Sequence, residues 1–118
     1  MRFAALILLA SFATPALAQD AEHGAAVFKR VCATCHQVAQ PRSLQAPHLI
    51  GIVGRRIGSV AGYTYSQVFK DADGNWDEAR LNAYIANPGE VMKGTKMINK
   101  VPGETDRADI VAYLATVK

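Results

Sequence analysis

Residues 32–36 read Cys-Ala-Thr-Cys-His and contain the only two cysteines of the 118-residue chain. Two thiols at this spacing can each add across one vinyl group of a single haem, and a histidine beside the second thiol then falls under the iron as an axial ligand. These positions therefore predict one covalent haem c, attached through Cys32 and Cys35 with His36 on the metal. The same cysteines could instead form a disulfide or half of a zinc site. A redox pair calls for βαβ patterning and a structural zinc for further ligands at short spacing, and the sequence offers neither. A group this large inside so short a chain constrains the fold strongly. The chain must wrap it, and it must supply much of the core.

The N-terminus points the same way by separate reasoning. Arg2 gives a positive start, Phe3 to Phe12 is almost wholly apolar, and Ala16-Leu17-Ala18 has the form of a leader cleavage site. We read residues 1–18 as a secretory signal peptide cut after Ala18, and residues 19–118 as one monohaem domain. The apolar run is too short to span a bilayer, so an uncleaved anchor is the alternative and no stable membrane insertion is expected. Export with a covalent haem points to a Gram-negative periplasm, where unclaimed thiols oxidise. The formal charge of +3, from 13 Lys and Arg against 10 Asp and Glu, falls to +2 when Arg2 leaves with the leader, which is too mild for nucleic-acid binding.

Periodicity predicts an all-α chain. The segment Ala21 to Cys35 is helical, with Asp20 as N-cap and Gly24, Val27, Phe28 and Val31 on one face. Thr105 to Val117 forms a second amphipathic helix, capped by Thr105 or Asp106, with Ile110, Tyr113, Leu114 and Val117 as its stripe. A glycine on the first stripe allows these two helices to cross closely, with Phe28 against the last one. Trp76 to Asn87 reads as a further helix, its Leu81, Tyr84 and Ile85 facing inward, stopped by Pro88-Gly89. Tyr65 to Lys70 suggests a short helix, and Gln40 to Gly62 a loop around the cofactor.

An electron carrier keeps its iron six-coordinate, because unchanged ligation lowers the reorganisation that accompanies electron transfer. Beyond His36 the available ligands are Met92, Met97, His23 and His48. Met97 closes a loop that leaves the third helix and can return to the far side of the haem, so it is the ligand we expect. Its neutral, soft sulfur favours Fe(II) and raises the potential. Met92 is read as a packing residue, His23 as capping or solvent-facing, and His48 as lying on the His36 side.

With these residues placed, the chain resembles the class I c-type cytochromes, the group of mitochondrial cytochrome c and the small soluble bacterial cytochromes c. Gly24 and Phe28 match the family's terminal-helix contact, and Cys32, Cys35 and His36 its haem site. The stretch from Ala46 to Gly58 is similar to the family's Gly-Pro-x-Leu-x-Gly-x-x-Gly-Arg-x-x-Gly pattern. Gly62-Tyr63-Thr64-Tyr65-Ser66, Trp76, Tyr84, Asn87-Pro88 and Gly94-Thr95-Lys96-Met97 follow in the family's order. The resemblance implies the small class I fold, with crossed terminal helices and loops wrapped around one covalent haem. It implies that the Pro47 carbonyl accepts from His36 Nδ1, that Arg55, Tyr65 and Trp76 hold one propionate, and that Thr95 serves the other. It also implies that Tyr84 reaches the Met97 sulfur. Phe69 and Asn99 depart from the family pattern, Phe69 replacing a common polar residue of the haem crevice.

The function these readings imply is one-electron transfer by a monomer, and no enzyme activity is expected. Redox partners, donor and acceptor, would dock at a basic haem edge formed by Lys29, Arg30, Lys93, Lys96 and Lys100. Asp71, Asp73, Asp77 and Glu78 are expected on another side. A haem subunit held permanently by a periplasmic dehydrogenase and a small-molecule-binding haem protein are the alternatives.

Overall fold

In the computed structural model, which describes residues 19–118, Asp20 opens the first helix, α1, Ala21–Val31. The Asp20 carboxylate accepts from the His23 backbone N–H at 3.0 Å, satisfying one of the donors a helix start leaves free. Glu22 in the first turn and Lys29 and Arg30 in the last complement the helix dipole. The helix ends at Val31 rather than at Cys35. From Cys32 the backbone tightens into a turn in which the N–H groups of Cys35 and His36 both point to the Cys32 carbonyl, at 3.1 and 2.9 Å. The segment read as a signal peptide, residues 1–18, lies outside the described residues.

Four further helices follow: α2 Gln67–Asp71, α3 Glu78–Ala86, α4 Pro88–Val91 and α5 Glu104–Thr116. All four correct the periodicity reading in detail, α2 by starting at Gln67 after Ser66 rather than at Tyr65. Helix α3 starts at Glu78 with Asp77 as its cap, not at Trp76. Trp76 is held instead beside the preceding loop, its N–H donating to the Arg55 carbonyl at 2.8 Å and its own carbonyl accepting from Gly54 at 2.6 Å. Pro88 does end α3, and it also begins the one-turn α4, since a first-turn residue needs no N–H donor. The cap of α5 is Gly103; Thr105 and Asp106 fall inside the first turn.

The terminal helices α1 and α5 pack on each other, and Gly24 makes their approach possible. A Cβ at this position would lie 1.9 Å from the Asp109 carbonyl oxygen, so any larger residue would drive the helices apart. Phe28 meets Tyr113 across the contact with ring centroids 5.4 Å apart. Asp109, only 3% exposed, ties the same junction by accepting from the Asp20 N–H at 2.8 Å and from His23 Nδ1 at 2.7 Å. Val27, Phe28, Leu81, Ile85, Ile110 and Leu114 form the centre of the core. The described residues contain no strand beyond a single antiparallel bridge between Arg56 and Asn75, so the fold is all-α. None of their helices is long and apolar enough to cross a membrane.

Candidate cofactor site

The helices enclose a cavity of about 430 Å³ whose floor is the core itself: Ile52, Leu81, Ile85, Ile110 and Leu114 all face it. Each of the ten residues singled out from the sequence lines this one space: Cys32, Cys35, His36, Pro47, Arg55, Tyr65, Trp76, Tyr84, Thr95 and Met97. Met92, His23 and His48 do not. Met92 is packed in the core at 5% exposure, and His23 is engaged with Asp109 at the helix junction.

Both cysteines are free thiols at the cavity wall, delivered by the turn that follows α1. Burial pushes the Cys32 thiol up to about 11. His36 Nδ1 lies 2.7 Å from the Pro47 carbonyl oxygen. A carbonyl only accepts, so Nδ1 carries the proton and Nε2 keeps its lone pair for a metal. Burial holds the imidazole below its ordinary value; the Pro47 bond acts against this, and the charge of Arg55 adds to it. The neutral, ligating form is thereby favoured.

Polar groups stand around this apolar space. Arg55 spends Nη1 on the carbonyls of His48 and Ile50, at 2.9 and 3.2 Å, which fixes the guanidinium at the cavity wall. The Tyr65 hydroxyl accepts from the Val60 N–H at 3.1 Å. The Tyr84 hydroxyl is paired with Thr95 Oγ1 at 2.7 Å, and the same oxygen accepts from the Met97 N–H at 3.3 Å. Tyr84 is thus engaged with Thr95, two residues from Met97, and burial pushes its phenol up. Of the five cations expected at a docking edge, all are exposed, but only Lys96 lines the cavity. Its ammonium is bound to the Thr64 carbonyl at 3.0 Å.

Ser66, Gln45 and Phe69 are among the lining residues that escaped the sequence reading as site residues. Ser66 is the N-cap of α2 yet makes no side-chain cap bond, leaving its hydroxyl free at the cavity. Gln45 reaches the Cys35 sulfur at 3.6 Å. Phe69, noticed only as a departure from a family pattern, stacks on Tyr65 with ring centroids 5.8 Å apart. Ser66 stood in the sequence only as the last residue of the Gly62–Ser66 stretch that resembles the family pattern, which marked the place without giving its hydroxyl a role.

This lining fits a haem. Two thiols and one bare imidazole nitrogen converge on a largely apolar space, with a guanidinium and hydroxyls available to carboxylates. Among the described residues, no group of three or more His, Cys, Asp or Glu is placed to hold a metal ion by itself, which disfavours the zinc alternative.

Comparison with known proteins agrees with the geometry. The family model described as Cytochrome c matches residues 21–118. The chain is 37% identical over 99 residues to cytochrome c-type cyt cy of Rhodobacter capsulatus, covering 83% of this chain and 49%, about half, of that longer protein. It is 40% identical to cytochrome c of Nigella damascena, covering 82% of this chain and 89% of the relative. Among solved structures, cytochrome cH from Methylobacterium extorquens superposes with a TM-score of 0.76 at 33% identity, covering 82% of this chain and 98% of the other. The cavity is the seat of one haem c bound through Cys32 and Cys35, and the chain belongs to the cytochrome c family, whose members transfer electrons and are not enzymes.

Proposed function

We propose that the protein is a periplasmic one-electron carrier whose haem iron is held by His36 and Met97, with residues 1–18 removed as a signal peptide and residues 19–118 forming the working domain. When bound, the haem supplies a reversible one-electron change between Fe(II) and Fe(III). The chain sets the conditions for that change. Cys32 and Cys35 fix the group covalently. Pro47 orients His36 and raises its basicity, while Arg55, Tyr65, Trp76 and Thr95 offer partners to the propionates. The apolar walls exclude water, which lowers the reorganisation of each transfer and favours the less charged iron state.

The arrangement of the Met97 arm carries this reading. Met97 stands at the cavity wall on an arm anchored three times: through Thr95 to Tyr84, through Lys96 to the Thr64 carbonyl, and through the Val101 N–H to the Ile85 carbonyl at 2.8 Å. An arm tied on both sides of the methionine can hold its sulfur in place through both oxidation states. Exposed Lys29, Arg30, Lys93, Lys96 and Lys100 would then guide acidic redox partners to this side.

The test is an optical spectrum of the purified holoprotein. The oxidised form is expected to show the weak near-infrared band of sulfur on ferric iron, and Met97→Ala is expected to abolish it. A wild-type spectrum without the band, together with fast carbon monoxide uptake by the reduced protein, would replace this reading with a ligand-binding one.

A further inference from the structure

We infer that Phe69 is a positioning residue for the Met97 arm, acting through Tyr84 rather than through any contact of its own with the ligand. The inference rests on the His36/Met97 ligation proposed above. Phe69 lies at the cavity wall between two parts of the chain that anchor the arm. On one side it stacks on Tyr65, with centroids 5.8 Å apart and planes 24° from parallel. On the other its ring meets Tyr84 edge to face, at 5.9 Å and 84°. Trp76 closes the triangle, 6.2 Å from Phe69 and 5.1 Å from Tyr84.

The position of Phe69 is itself fixed. Gly58, at φ +69°, lets the backbone of α2 come so near that a Cβ there would stand 2.5 Å from the Phe69 carbonyl oxygen. A ring set on a fixed backbone, with aromatic neighbours on three sides, leaves Tyr84 little freedom to rotate. Its hydroxyl then stays 2.7 Å from Thr95 Oγ1, and Thr95 in turn holds the Met97 N–H. Phe69 also fills the wall beside Tyr84 with hydrocarbon, so water does not compete for the Tyr84 hydroxyl. A polar residue here would admit water to that hydroxyl, loosening the arm without touching Met97.

The experiment measures how readily imidazole, added to the ferric holoprotein, displaces the sixth ligand. Phe69→Asn is expected to raise imidazole affinity at least about tenfold, while Phe69→Leu, which keeps the apolar volume, stays within about threefold of wild type. In a Tyr84→Phe background, where the hydroxyl link is already cut, Phe69→Asn is expected to add less than about threefold. If Phe69→Asn does not fold or load haem, Phe69→Gln, equally polar and nearer the ring in volume, takes its place with the same directions expected. Unchanged affinity in the Tyr84-containing protein, or a full effect persisting in the Tyr84→Phe background, would overturn the inference while the near-infrared band of the wild type remained. Absence of that band from the wild type would overturn the ligation reading, and this inference with it.

Discussion

Thr95 shows how much can depend on one oxygen. Its Oγ1 serves the buried Tyr84 hydroxyl at 2.7 Å and the Met97 N–H at 3.3 Å, so Thr95→Val removes both partners while preserving shape. Leaving a buried hydroxyl unpaired costs about 1–3 kcal/mol, and that loss is expected in denaturant unfolding of the oxidised holoprotein, with Thr95→Ser recovering most of it. A Thr95→Val protein as stable as wild type would mean that water serves both groups. The pairing was not legible in the sequence, although both residues were read as site residues. A hydroxyl can satisfy itself with a propionate, a sulfur, a water or another hydroxyl, and only coordinates choose among them. Cys32, Cys35 and His36 were legible for the opposite reason: their spacing is set by covalent chemistry within one turn of chain, so no distant contact decides their role.

At the scale of elements, the terminal-helix pair was visible in advance and its lock was not. Gly24 and Phe28 announce a close crossing because a missing side chain and an aromatic fall on one stripe. Asp109 sits beside the apolar stripe of α5 and is 3% exposed, which periodicity would never assign to a carboxylate. It is there because α1 offers it two donors, the Asp20 N–H at 2.8 Å and His23 Nδ1 at 2.7 Å. The short α4 was missed on similar grounds, since Pro88 serves as a stop for one helix and a start for the next. The Asp20 N–H first, and the His23 ring after it, hold the Asp109 carboxyl below its ordinary 3.8. A carboxyl depressed in the folded state adds stability at all pH values above its unfolded value, and this is lost as pH falls through the folded one. From pH 7 down through the acid range, wild type is therefore expected to lose more stability than Asp109→Asn, while the variant is the weaker protein at pH 7. Unfolding curves across that range decide it; parallel pH profiles would show that the carboxylate is not what locks α1 to α5.

For the whole molecule, the proposed carrier role rests on where charge stands more than on its modest total. Lys93 and Lys100 are exposed on the arm that carries Met97, and beside them Ile98 is 84% exposed, an apolar point among cations. Asp71, Asp73, Asp77 and Glu78 are exposed on the chain from the end of α2 to the start of α3. In the proposed carrier role, these cations and carboxylates would give the protein a dipole that turns it during an encounter, and salt would weaken the effect as the Debye length falls from about 30 Å at 0.01 M to about 8 Å at 0.15 M. The rate of electron exchange with an acidic redox protein is accordingly expected to drop about tenfold across that range. Reversing Lys93 and Lys100 to Glu is expected to remove most of the low-salt rate and flatten the salt dependence, while Asp73→Lys leaves both nearly unchanged. Lys96 is excluded from the pair because its ammonium holds the Thr64 carbonyl, and replacing it would disturb the Met97 arm as well as the charge. Stopped-flow rates at several ionic strengths separate the two effects. A rate independent of salt in wild type would mean that partners meet this surface through Ile98 and its apolar surroundings, with the lysines acting only as solvated side chains.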